Sequence, residues 1–168
     1  MKHLEKTIHF LEALNEWIGR GVAWLTTLLV LLFCADVFAR NVLRFSSAAI
    51  FELEWHIFAL IFLLGAGYTL KHDQHVRVDV FYGQFSPRLK AWINLLGTLF
   101  FLLPFCGLLI YYGTQMAQTA YQINEGSGDP GGLPARYLIK SAIPLGMFFL
   151  SLQGIALLLR SLKTLLSP

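Results

Sequence analysis

The stretch Ala91–Tyr112 runs for 22 residues without one charged side chain. As a helix it would be about 33 Å long, close to the ~30 Å hydrocarbon core of a bilayer. Three further stretches share this character. Gly21–Ala39 is apolar apart from Asp36, Ile50–Leu70 is apolar after a start at Glu52, Glu54 and His56, and Tyr137–Leu159 carries only Lys140. Backbone polar groups in lipid must be satisfied internally, so such runs are helices. A membrane barrel would need alternating segments of about 10 residues. Composition agrees: 56% of the 168 residues are apolar and 14% charged, against about 25% charged in soluble domains. The expected fold is an all-α integral membrane protein with four transmembrane helices, forming one domain over residues 1–168. Its pI of 9.0 comes from scattered cations, which excludes a nucleic-acid-binding stripe.

Leu4–Ile18 has a different periodicity. Leu4, Ile8, Phe10, Leu11, Leu14, Trp17 and Ile18 fall on one half of a helical wheel, and Lys2, Glu5, Lys6, His9, Glu12 and Glu16 on the other. This predicts an amphipathic helix preceding the first span and lying in the membrane interface. The alternative is a helix packed on the protein's own cytoplasmic loop. Gly19-Arg20-Gly21 is expected to form a flexible corner into the bilayer. The charged start also argues against a cleaved signal peptide. Nine Lys and Arg residues fall on the side of both termini and the 71–90 loop, four on the other. The positive-inside rule then places both termini in the cytoplasm and the polar, turn-rich loop Gly113–Arg136 outside.

Ionisable residues within spans are candidate functional groups. Asp36 and Arg40 are four apart and predict a local ion pair. Glu52 and His56 share a face in the same way, whereas Glu54 points about 200° away from Glu52, which argues against a paired-carboxylate centre. These polar ends are expected to face headgroups or a neighbouring protein. His72 and His75, with Asp73 and Asp79, are the only metal-like grouping, but alternating Val76, Val78 and Val80 favour a segment along the membrane surface. Haem would require paired axial His, and only His56 lies in a span. Cys34 and Cys106 are expected to be small buried hydrophobes. No nucleotide, hydrolase or metalloprotease motif occurs. We therefore expect no catalytic, metal, cofactor or substrate-binding residues in this chain.

The spans offer packing surface instead. Gly65, Gly67, Gly97, Gly146, Ser151 and Gly154 let helices approach closely, within this bundle or against a partner. Pro104 and Pro144 predict kinks, and Gln153 predicts a polar contact inside the bundle. A lone transporter needs a polar path at the midplane, and these spans keep their charges at the edges. That pattern points to an accessory subunit. Two rivals are a self-sufficient homodimeric exporter, which needs a mid-span acid, and a cofactor-bearing electron-transfer subunit, which needs paired His.

From about Gly21 to Leu162 the chain resembles the DctQ-like small membrane subunit of tripartite ATP-independent periplasmic (TRAP) transporters. The resemblance rests on Glu52-Leu53-Glu54-Trp55-His56, Leu64-Gly65-Ala66-Gly67-Tyr68-Thr69-Leu70-Lys71 and His75-Val76-Arg77-Val78-Asp79. Ser86-Pro87-Arg88, Asp129-Pro130-Gly131-Gly132-Leu133-Pro134-Ala135-Arg136 and Lys140-Ser141-Ala142-Ile143-Pro144-Leu145-Gly146 complete it. It implies sodium-coupled uptake across the bacterial inner membrane without ATP hydrolysis, for carboxylates such as C4-dicarboxylates or 2-oxo acids. It implies a large multi-span membrane subunit and a periplasmic solute-binding protein as partners. This chain, ending at Pro168, would be a separate scaffold rather than a fusion. Candidate partner contacts are Glu52, Trp55, His56, Arg77, Asp79, Asp129, Arg136 and Lys140. Segments 75–79 and 129–136 are most similar to members serving organic or 2-oxo acids.

Overall fold

A computed structural model of the chain describes residues 2–72 and 84–166. Helix α1 spans Lys2–Phe38 and passes into a π-helical turn, Ala39–Leu43. Helix α2 spans Ala48–Lys71. Helix α3, Pro87–Gly97, continues through a π-helical stretch, Thr98–Leu102, into α4, Leu103–Gln122, and α5 spans Tyr137–Leu166. Among the described residues no strand occurs, and four helices are long and apolar enough to cross a membrane: α1, α2, the α3–α4 unit and α5. The protein is an all-α membrane protein.

Helix α5 is the central post, packing along α2 and α4 and also meeting α1 and α3. Its glycines set the spacing. A Cβ on Gly146 would lie 2.6 Å from the Leu63 carbonyl oxygen, so α5 and α2 touch backbone to backbone. Gly154 receives the Leu102 side chain, and Gly67 of α2 receives the Asn15 side chain of α1. Gly97 is different: nothing lies within 4 Å of where its Cβ would be. The hydrophobic core gathers Leu70, Cys106, Met147 and Leu150.

Several expectations are corrected. The corner at Gly19–Gly21 does not form, because α1 is helical through it. Gly19 is there for contact instead: it lies against the Tyr68 ring, where any larger residue would collide. The amphipathic segment is consequently the first half of a single rod. At 37 residues, α1 is about 55 Å long, well beyond the hydrocarbon thickness. Glu12 and Asn15 turn into the bundle beside Ile8 and Val22 and are buried, Glu5, Lys6 and His9 are exposed, and Phe10, Trp17, Trp24, Leu28 and Leu31 form one outward stripe. Cys106 is fully buried as expected, but Cys34 is exposed on the surface of the chain. Pro104 follows the π-helical stretch, whose wider turn accommodates the missing N–H donor. Pro144 sits within a helix that continues on both sides of it.

Candidate docking face at the loop end

Helix α4 ends at Gln122, and Ile123 and Glu125 continue its last turn by donating to the carbonyls of Thr119 and Ala120. From there to Arg136 the chain is a compact loop, not a tether. Asp129-Pro130-Gly131-Gly132 makes a turn closed by Gly132 N–H to Asp129 O at 3.0 Å, with Gly131 at φ 79°. Proline at the second position and a left-handed glycine at the third are what a type II turn demands. The amide of Ser127 donates to Leu133 O at 3.0 Å and that of Arg136 to Glu125 O at 2.9 Å, so the two arms of the loop face each other. Ala135, adjoining that second pair, is held at φ 61°, a region L-residues with side chains avoid.

One carboxylate binds both arms. Glu52, in the first turns of α2, is 2% exposed. Its Oε1 accepts from Ser127 Oγ and from Arg136 Nη2 at 2.7 Å, and its Oε2 accepts the Leu133 amide at 2.6 Å. The Arg136 guanidinium also lies 5.6 Å from the centroid of the Trp55 ring, a cation–π contact beside the ion pair. Arg136 Nε, in contrast, is buried without a hydrogen-bond partner. Lys140, one turn into α5, reaches back to Glu125 at 2.5 Å. His56 Nδ1 donates to the Glu52 carbonyl, and its ring lies against Trp55.

The anticipated residues thus fall into two groups. Glu52, Trp55, Arg136 and Lys140 converge on the loop as its internal supports, while Asp129 stands exposed at the turn. Arg77 and Asp79 lie outside the described residues, as do Asp73 and His75 of the metal-like grouping. Among the described residues no group of three or more His, Cys, Asp and Glu is placed to hold a metal ion. Ser127, Glu125 and the Leu133 amide were not anticipated. The only sequence signal for them was the clustering of small polar and turn residues between Asn124 and Pro134.

Three further charges lie on α1, the π-helical turn that follows it, and α2. Asp36 and Arg40 form the expected pair at 2.8 Å. Glu54, on the opposite face of α2 from Glu52, is buried, and one of its carboxylate oxygens has no hydrogen-bond partner.

Fold and loop together define a polytopic helical membrane protein capped at one end by a folded, charge-clamped loop. The family model described as "Tripartite ATP-independent periplasmic transporters, DctQ component" matches residues 29–164, and the chain belongs to that family. It is a family of transporter components rather than of enzymes. No curated protein and no solved structure matches the chain.

Proposed function

We propose that this chain is the scaffold subunit of a sodium-coupled carboxylate importer in a bacterial inner membrane. It holds a large multi-span transport subunit and presents the Ile123–Arg136 loop to a periplasmic solute-binding protein. Both termini then lie in the cytoplasm, in line with the excess of Lys and Arg at that end. The observation that carries this reading is the construction of the loop. A buried carboxylate, a half-buried guanidinium and a backbone amide support it from below, and Asp129 is displayed at its tip. A preorganised loop loses little entropy on binding a partner. The charge it shows would act mainly on encounter rate and salt dependence. Carboxylate solutes are proposed from the family resemblance alone.

The test is uptake by the reconstituted complex at limiting binding protein. Asp129→Lys should slow uptake several-fold, more at low salt than at high salt, while the large subunit still co-purifies in equal amount. Unchanged uptake under those conditions would remove the loop from docking. Purification of this chain without any large membrane partner would overturn the scaffold reading altogether.

A further inference from the structure

The described acids of α1 and α2 are Glu5, Glu12, Glu16, Asp36, Glu52 and Glu54. Each of the first five meets a cation of this chain. Glu54 does not. It is 8% exposed, and one of its carboxylate oxygens is buried without a hydrogen-bond partner. Its charged neighbours are Asp36 and Arg40, and Arg40 is held by Asp36 at 2.8 Å. Two carboxylates thus share one guanidinium, and the surplus is one negative charge. Residues 73–83 and the two chain ends adjoin the opposite end of the bundle, where His72 stands about 27 Å along the axis of α2 from Glu54. A carboxylate buried in a membrane protein without a counter-charge is costly, and it marks a contact that another group completes.

The surface around Glu54 is aromatic. Residues three or four apart on a helix are neighbours. Phe51 and Phe58 flank Glu54 in this way on α2, and Phe62 extends the row by one turn; the three are 63%, 61% and 71% exposed. On α1, the exposed Phe33 stands one turn before Asp36, and the half-exposed Arg40 one turn after it. From Phe51 to Phe62 the row runs about 16 Å into the span. Aromatic anchors around a desolvated charge have the anatomy of an interface centre.

We propose that this face is where the large membrane subunit packs. One of its transmembrane helices sets a Lys or Arg side chain against Glu54 and apolar residues against Phe51, Phe58 and Phe62. The inference rests on the scaffold reading above and names the contact that reading requires. Charge complementarity selects the occupant. An acyl chain or a wholly apolar helix would leave the carboxylate unanswered, and a second copy meeting it face to face would add another carboxylate. A cation fixed on a partner helix supplies the missing donor, and because mispairing is costly in such surroundings it also fixes the register. Glu52, about 200° round the helix, serves the loop. The two acids therefore divide between the inside of the chain and its partner.

The experiment is photocrosslinking and retention in the complex of this chain co-expressed with its large membrane subunit. Phe58→benzoylphenylalanine should crosslink the large subunit several-fold more than the same group at Phe101, which is exposed on the third span. Glu54→Lys should lower the large subunit retained on the order of tenfold or more, and Glu54→Gln several-fold, because losing one side of a buried charge pair strands the other. In the chain purified alone, Glu54→Gln should leave the thermal midpoint unchanged or higher, since it removes an unpaired buried charge. A residue that only supports the fold would lower both readings. Exchanging the crosslinked helix's cation for glutamate should restore retention by Glu54→Lys. If the wild-type chain holds the large subunit while Phe58 crosslinks only lipid, this face lies in the bilayer and the proposal is overturned, with the scaffold reading intact. Unchanged retention in both Glu54 variants, or a lower thermal midpoint for Glu54→Gln alone, likewise removes Glu54 from the contact. A wild-type chain that holds no large subunit ends both readings.

Discussion

At the loop end, a single carboxylate that is 2% exposed gathers a hydroxyl, a backbone amide and a guanidinium into one network. At the end with both termini, three carboxylates along α1 each take cations from a different place: Glu5 from Lys163, Glu12 from Arg160, and Glu16 from Lys71 and His72. Two of these cations are open to water, Arg160 with 56% and Lys163 with 38% of the side chain exposed, while Lys71 is 20% exposed. The residues are of the same types, yet the physics differs. A closed network fails as a unit, since removing one member leaves the others buried and uncompensated. Parallel exposed ties fail one at a time, and each contributes little. The first arrangement suits a surface that must keep its shape.

The largest effect is expected from Glu52→Ala. It should open the loop, raising hydrogen exchange of the Leu133 amide by about tenfold or more, because that amide loses its acceptor and the half-buried Arg136 its counter-charge. A loop that keeps its protection would show that the turn holds itself and that the two ends are equivalent. Gly132→Ala sharpens the same point. Its Cβ would lie 2.9 Å from Glu52 Oε2 and 2.5 Å from Ser127 Cβ, so the clamp must shift. A loss of about 1–3 kcal/mol is expected from overpacking, read as the thermal midpoint in detergent. Gly97→Ala, at the end of α3, meets nothing within 4 Å. It should be neutral or stabilising by up to about 1 kcal/mol, through helix propensity alone.

Smaller effects belong to the end with the termini. The double variant Glu12→Gln, Arg160→Gln removes a half-exposed pair without changing net charge, and should lower stability by about 1 kcal/mol. A loss as large as that in Gly132→Ala would break the contrast. Glu16 should give the smallest signal. Hydrogen bonds from Lys71 and then His72 draw its carboxyl from 4.5 down to about 2. A depressed carboxylate contributes stability that is complete above its ordinary pKa and is lost as pH falls through the folded value. The thermal midpoint of the wild type minus that of Glu16→Gln should therefore be slightly positive at pH 6. It should shrink between pH 4.5 and 2 and in high salt. A difference that grows on acidification would contradict the pairing.

How much of this was legible differs along the chain. Each apolar run of the sequence lies inside one of the four long helices, although the helices extend past the runs: α1 begins at Lys2 and the third reaches Gln122. Apolarity reports where lipid lies, whereas helix ends depend on backbone hydrogen bonds that persist into water. Local pairs could also be read, as Asp36 with Arg40 shows. The loop clamp could not. Glu52 and Arg136 are 84 residues apart, and the spacing of Glu52 and His56 drew attention to a shared helical face, when the partners of the carboxylate lie across the bundle. Gly19 misled for a related reason. Two glycines either side of an arginine signal a corner unless a ring from another helix occupies the space beside one of them.

The amino-acid sequence by itself determined that this chain is a four-span helical membrane protein. The cost of placing a charge or an unpaired peptide in hydrocarbon is local and is counted along the chain. Its order of motifs also determined the family. Only the tertiary structure decided that α1 is one rod, that Glu52 serves the loop, and that Glu54 is buried with an unpartnered oxygen. Those outcomes depend on which helix faces which and at what depth. Backbone contacts such as Gly146 on Leu63 set that register once all helices are present together.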